Sequence, residues 1–268
     1  MGREENITTF YDTMDWCKTE PLLSRAIKDS INGTKLYPAD GSIDVPKKRY
    51  SKTDISVSRF RSFEAACNLH NEFAEQKIGV HNFASAVHAG GGVRKGCHAQ
   101  EEGLCHCSTL FPVLDTGYLY NNYYSYNLSL CNYANSDAVI YTPDILIIKS
   151  DTHFPKRLDK DKWVKVDVLT CAAPDLRSLT ISDDALLKIH MQRARKMLSV
   201  AAANKIDILV LGAFGCGAFM NDPEIVAKAY KQVLPEFDGF FSRIEFAIFC
   251  SDYDTTNYTV FNSIINEL

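Results

Sequence analysis

Two neighbouring carboxylates and two glycine clusters are the residues of this chain best suited to chemistry. Gln100-Glu101-Glu102 sits eight to ten residues beyond Gly90-Gly91-Gly92, and a second cluster, Gly212-Ala-Phe-Gly-Cys-Gly-Ala-Phe219, follows an apolar run ending at Leu211. Adjacent carboxylates repel, so when partly buried at least one holds its proton above the usual range, as a general acid must. The same pair is equally explained as two solvated acids in the first turn of a helix, complementing its dipole. Glycines let backbone N–H groups approach an anion closely, and a following helix N-terminus adds favourable partial charge. Each cluster alone could be a tight turn; two clusters at strand ends suit a diphosphate held from both sides, where an open α/β sheet binds its ligand. Neither cluster has the G-x-G-x-x-G spacing of dinucleotide folds or the G-x-x-x-x-G-K-[ST] pattern of P-loops.

The elements that must position these groups alternate along the chain. Ser62 is expected to cap a helix carrying Phe63, Ala66, Leu69 and Phe73, ended by Gly79 before a strand from Val80 to Ala84. Ser182 caps a second helix, a strand follows at 206–211, Asp222-Pro223 opens a third helix, and a last strand runs over 244–249. Further strands are expected at 138–141, 146–148 and 164–170, about six in all. This order predicts a mixed or parallel sheet covered on both faces. Residues 1–52 read as a helical and loop extension, with Pro21 at a first helical position, and 53–268 as the main domain.

The chain has 268 residues with 29 basic and 33 acidic side chains, a formal net charge of −4, which argues against a whole-protein electrostatic grip on nucleic acid. With 46% hydrophobic residues it can bury a sizeable core. The polar start Met1-Gly-Arg-Glu-Glu has no apolar secretory core, and the longest uncharged stretch of the C-terminal half, 208–220, is too short to span a membrane. Nine scattered cysteines, an odd number, fit reduced thiols, and the expected location is the cytoplasm.

Asn82-Phe-Ala-Ser85, Gly90-Gly91-Gly92, seven intervening residues and Gln100-Glu101-Glu102, followed by Leu104-Cys105-His-Cys107, resemble the signature of the bacterial poly(ADP-ribose) glycohydrolases. The loop 212–219 is similar to that family's second phosphate loop. The resemblance, from about Arg61 to Phe249, implies a macrodomain-like three-layer α/β/α sandwich with a mixed sheet that binds ADP-ribose in a cleft. It implies that Glu102 is the catalytic acid, that Glu101 holds ribose hydroxyls and that Gln100 helps place the pair. It further implies that Gly90, Gly91, Gly92, Gly212, Phe214, Gly215, Cys216 and Gly217 form the diphosphate cradle, that Phe219 packs on the ribose beside the bond being cut, and that no metal or other cofactor is needed. The expected partner is ADP-ribose or an ADP-ribosylated macromolecule, with no membrane or strong nucleic-acid binding.

Two positions depart from the pattern. Ser85 stands where many macrodomains carry an asparagine that contacts the distal ribose, and Ala89 stands where proline is common. Chain-cleaving activity, hydrolysis of a single mono-ADP-ribosyl linkage and non-catalytic recognition stay open on the sequence, as does the oligomeric state. So does zinc ligation by Cys97, His98, Cys105, His106 and Cys107, a set without C-x2-C spacing. The tyrosines between 118 and 126 could form either a stacking surface or an ordinary packed loop.

Overall fold

The computed structural model describes residues 1–267. Two helices, α1 (Arg3–Thr19) and α2 (Pro21–Gly33), lead into a short strand β1 (Lys35–Tyr37). After β2 (Asp54–Ser58), helix α3 (Ser62–Glu72) and strand β3 (Ile78–Phe83), the chain makes the glycine loop and enters α4 (Gln100–Cys107) and α5 (Leu110–Leu114). An arm follows, built from α6 (Gly117–Leu119), a π-helical turn at Tyr120–Tyr124 and α7 (Ser125–Ser129). The remainder is β4 (Val139–Ile147), β5 (Val164–Cys171), α8 (Asp183–Ala203), β6 (Ile208–Leu211), α9 (Pro223–Val233), β7 (Arg243–Ala247) and α10 (Thr256–Ile265).

The seven strands form one mixed sheet in the order β1-β4-β5-β3-β6-β7-β2. The pairs β5/β3, β3/β6, β6/β7 and β7/β2 are parallel, while β4 runs antiparallel to both β5 and β1. Parallel strands are covered on both faces and therefore read as nearly continuous apolar runs. Thus Ile208 and Val210 of β6 enter a core shared with α1 to α5, while Leu209 and Leu211 enter the opposite core with α8, α9 and α10. The result is a three-layer α/β/α sandwich.

Several local expectations acquire their physical cause here. Ser182 Oγ accepts the Ala185 N–H, and Asp222 Oδ1 accepts the Glu224 N–H at 2.8 Å with Pro223 at the first helical position. Gly79, expected to end a helix, instead lies inside β3, and α3 stops at Glu72. A Cβ at Gly79 would press to 3.0 Å from Ile206, so glycine serves close strand packing rather than a cap. The two strands expected around 138–148 are one strand with a bulge between Thr142 and Ile145, where Pro143 offers no N–H and Asp144 turns to φ 58°. Strand β2 and helix α10 had no separate sequence signal.

The segment before residue 53 supplies the edge strand β1, and its Phe10, Met14, Cys17, Leu23 and Ile27 are buried in the first core. Helix α1 is also tied down by a buried Lys149, whose Nζ lies 2.7 Å from Asp12 Oδ2 and donates to Thr9 O. Among the described residues no helix is long and apolar enough to cross a membrane.

Candidate active site

A cleft of about 1160 Å³ lies across the C-terminal ends of the parallel strands, walled by the loop after β3 on one side and the loop after β6 on the other. The carboxylates face it from the first turn of α4, yet Glu101 is only 3% and Glu102 only 7% exposed. Glu102 reaches back along its own helix, so that Oε2 accepts the Ala99 N–H at 2.8 Å while Oε1 accepts the Gly92 N–H at 2.9 Å. One side chain thereby links the glycine triplet to the helix start. Glu101 Oε2 accepts the Ser85 N–H at 2.7 Å, and Oε1 accepts from Asn82 Nδ2 at 3.3 Å.

Gln100 fixes α4 against the end of β3. Its Oε1 accepts the Phe83 N–H at 2.9 Å, and its Nε2 donates to His81 O and Ser62 Oγ at 2.8 and 3.0 Å. Gly91 must be glycine for two reasons: its φ is +57°, and a Cβ there would sit 2.6 Å from Glu102 Oε1 and 3.0 Å from Glu101 Oε2. The triplet is therefore the packing surface of the carboxylates as well as a loop. Burial is the chief reason that Glu101 is pushed up to about 8; the neighbouring Glu102 charge adds to this, and hydrogen bonds from Ser85 and Asn82 oppose it.

The opposite loop is organised by Asn221. Its Nδ2 donates to Pro174 O and Gly215 O at 2.8 and 3.1 Å, its N–H donates to Gly215 O, and its Oδ1 meets His190 Nε2 at 2.8 Å. Gly215, at φ +78°, leaves no room for a Cβ, which would fall 2.6 Å from Ala173. Among the described residues the N–H groups of Gly215, Gly217, Ala218 and Phe219 donate to no protein acceptor. Successive unpaired N–H groups in a turn make an anion-binding concavity. Opposed to buried carboxylates, this cradle suits a ligand that carries a phosphate.

Of the residues singled out from the sequence, Ser85, Gly91, Gly92, Gln100, Glu101, Glu102, Phe214, Gly215, Gly217 and Phe219 line the cleft together. Gly90, Gly212 and Cys216 do not. Phe111 covers Gly90, Phe83 and Ala247 cover Gly212, and the Cys216 side chain packs into the core beside α9. The Ser85 hydroxyl accepts the Val87 and His88 N–H groups, so it shapes the loop at the site's edge. The cysteine and histidine set does not converge: Cys97 and His98 line the cleft, whereas Cys105 and Cys107 are buried with thiols pushed well up by desolvation. Among the described residues no three His, Cys, Asp or Glu side chains are grouped to hold a metal ion. Tyr123 and Tyr124 are buried, while Tyr118, Tyr120 and Tyr126 are exposed, and of the five Tyr120 and Tyr124 line the cleft, so the stretch is partly packing and partly cleft wall.

Sequence reasoning passed over Asn221 and the contacts of α1, and it gave Ser62 the wrong role: Arg61 is the cap of α3, and Ser62, the first residue of that helix, accepts from Gln100 Nε2 instead. Arg3 Nε donates to Lys95 O at 2.8 Å, Asn6 Nδ2 to Gly96 O at 3.1 Å and Thr13 Oγ1 to His106 O at 2.6 Å, so α1 braces the loop and helix that carry the acids from behind. None of residues 1–52 lines the cleft. Asn6 and Thr13 are polar residues buried on a helix that also buries Phe10 and Met14, which is the one trace they leave in the sequence.

The family model for the microbial-type PARG catalytic domain matches residues 10–150. No curated protein matches the chain. Among solved structures, poly(ADP-ribose) glycohydrolase (PARG) from Thermomonospora curvata superposes with a TM-score of 0.87 at 26% identity, covering 97% of this chain and 99% of that one. The same enzyme bound to the inhibitor ADP-HPD gives a TM-score of 0.83 at 26% identity and the same coverage. PARG from Deinococcus radiodurans in complex with ADP-ribose gives 0.78 at 28% identity, covering 90% of this chain and 97% of that one. With its family model matched over more than half its length and its fold shared from end to end, the chain belongs to the microbial-type poly(ADP-ribose) glycohydrolases.

Proposed function

We propose that this protein is a macrodomain-like poly(ADP-ribose) glycohydrolase that releases ADP-ribose from poly(ADP-ribose), using Glu102 as acid and base. The observation that carries this reading is the pair of buried carboxylates held at a glycine loop and facing a second loop with four free N–H groups. A recognition module needs the cradle alone; the cost of burying two adjacent acids is explained by catalysis. The solved relatives bound to ADP-ribose and to ADP-HPD support the ligand class.

In this reading the second loop binds the diphosphate through the N–H groups of Gly215, Gly217, Ala218 and Phe219, and Phe219 packs on the ribose at the bond to be cut. Raised to about 8, chiefly by burial, Glu101 keeps a proton in the site at neutral pH. Glu101 orients the ribose through its hydroxyls. Glu102 delivers a proton to the departing glycosidic oxygen as the C1–O bond breaks and positive charge develops on the ribose. The resulting Glu102 carboxylate takes a proton from a water molecule, whose oxygen closes on C1 to give ADP-ribose with a free C1 hydroxyl. The diphosphate stabilises the positive ribose electrostatically. Gln100 and Gly91 act by holding the two acids in place. The free thiols at all nine cysteines support a reducing compartment, the cytoplasm.

The test is mass-spectrometric detection of ADP-ribose after incubating the wild type and Glu102→Gln with poly(ADP-ribose). Wild-type release that drops about 10²–10⁴-fold in the variant, with ADP-ribose affinity kept within tenfold, is the expected result. A variant that turns over near the wild-type rate removes Glu102 from the acid role, and binding without release by the wild type makes the protein a reader.

A further inference from the structure

The cleft is larger than a single small ligand requires. Its volume of about 1160 Å³ exceeds the roughly 300–1,000 Å³ usual for such sites. Its wall includes Phe219 and, on the segments that flank the C-terminal end of β5, Tyr133, Asp175 and Arg177. Arg177 links the two regions: its guanidinium lies 5.2 Å from the centre of the Phe219 ring, and Asp175 holds it by two hydrogen bonds of 2.8 and 2.6 Å.

Tyr133 is 53% exposed and its hydroxyl has no partner among the described residues, yet the loop beneath it is tied down by several hydrogen bonds. Its carbonyl accepts the Asp175 N–H at 2.7 Å. The buried Arg193 donates to Ala134 O, Ala172 O and Asp137, and Asn135 Nδ2 donates to Ala173 O at 2.7 Å. Asn135 is held at φ 61°, a conformation that tertiary contacts must sustain. A rigid loop that presents an exposed aromatic side chain into a cleft loses little freedom when a flat ligand stacks on it.

Resting on the function proposed above, we propose that Tyr133, with the Arg177 and Phe219 planes beside it, forms a leaving-side subsite that stacks the adenine of the ADP-ribose unit left on the chain. The direction follows from Phe219. If it packs on the ribose at the cut bond, the next unit of the polymer leaves past Phe219 and meets Arg177 and Tyr133. Base stacking on an aromatic side chain tolerates any base, and the guanidinium adds a second flat cationic face. The subsite makes the polymer, rather than a singly modified side chain, the preferred substrate.

The experiment compares wild type, Tyr133→Ala and Tyr133→Phe on two substrates: poly(ADP-ribose), and an aryl glycoside of ADP-ribose whose leaving group has no adenine. ADP-ribose affinity, measured by calorimetry, checks that each variant is folded with its cradle intact. Tyr133→Ala should lower kcat/KM on the polymer by about tenfold, the effect of losing one stacked base, and leave the aryl glycoside and ADP-ribose affinity within twofold. Tyr133→Phe should match the wild type. An unchanged polymer rate, or an equal fall on both substrates, overturns the subsite. A wild type that cleaves the aryl glycoside and not the polymer overturns both the chain-cleaving reading and the subsite, whereas a polymer rate that is normal in Tyr133→Ala overturns the subsite alone.

Discussion

Glu101→Gln should make the protein more stable than the wild type, by an amount that grows with pH. Glu101 is 3% exposed, and burial raises it from the ordinary glutamate value of 4.5 to about 8. Between those values the folded protein keeps a proton that the unfolded chain has released, so wild-type stability falls as pH rises through the window and levels off above 8. At about 1.4 kcal/mol per pH unit the full window corresponds to roughly 5 kcal/mol, and the interval from pH 5.5 to 7.5 to about 2 to 3 kcal/mol. Glutamine stays neutral and escapes this loss. The substitution is accommodated, because the new carbonyl can accept the Ser85 N–H, and Asn82, whose Oδ1 has no partner among the described residues, can turn its amide to receive the new NH2 while Thr170 Oγ1 serves as donor or acceptor. Urea unfolding of the ligand-free protein, followed through the contacting Trp16 and Trp163, would give both stabilities at both pH values. A variant-minus-wild-type difference that is the same at pH 5.5 and 7.5 would refute the argument that Glu101 titrates as a buried acid.

Other consequences follow from the same contacts. Gly215→Val places a side chain against Ala173 at a left-handed backbone position and should abolish ADP-ribose binding; unaffected binding in calorimetry would move the diphosphate elsewhere. Asn6→Ala removes the hydrogen bond from α1 to Gly96 O and should lower kcat several-fold with ADP-ribose affinity retained, accompanied by faster amide exchange over 96–102; unchanged exchange there would mean that α1 does not brace the acids. Among the described residues Asp12→Ala leaves the buried Lys149 with only the Thr9 carbonyl, and it should cost about 3 kcal/mol of stability, read as a lower urea midpoint that Asp12→Glu largely restores.

Helix α4 shows how little of the catalytic arrangement is an isolated local property. The sequence places two acids in a helix's first turn, where they could equally be solvated. The tertiary structure buries them by laying the glycine triplet over them, β3 beneath them and α1 behind them, and only then does one of the acids hold its proton near neutral pH. The cleft's second wall is similar. Gly215 and Gly217 were visible as permissive residues, but the side chain that fixes their loop, Asn221, gains its partners Pro174 and His190 only when β5 and α8 come beside it.

The sequence by itself determined the alternation of helix and strand from α8 to β7 and the positions of both loops. Continuous apolar runs specify strands buried on both faces, Ser182 and Asp222-Pro223 specify helix starts, and the spacing of the glycines and acids is a local chemical pattern. It missed β1 and β2 at the sheet's two edges, misassigned Gly79, and divided β4 in two, because strand partners and bulges depend on neighbours distant in the chain. Only the tertiary structure decided that residues 1–52 share the main core, that Cys216 faces inward while Phe219 faces the cleft, and that Tyr123 is buried while Tyr133 is presented. Burial and hydrogen-bond partnership are properties of assembled surfaces, and desolvation, which sets the protonation of Glu101, exists only after assembly.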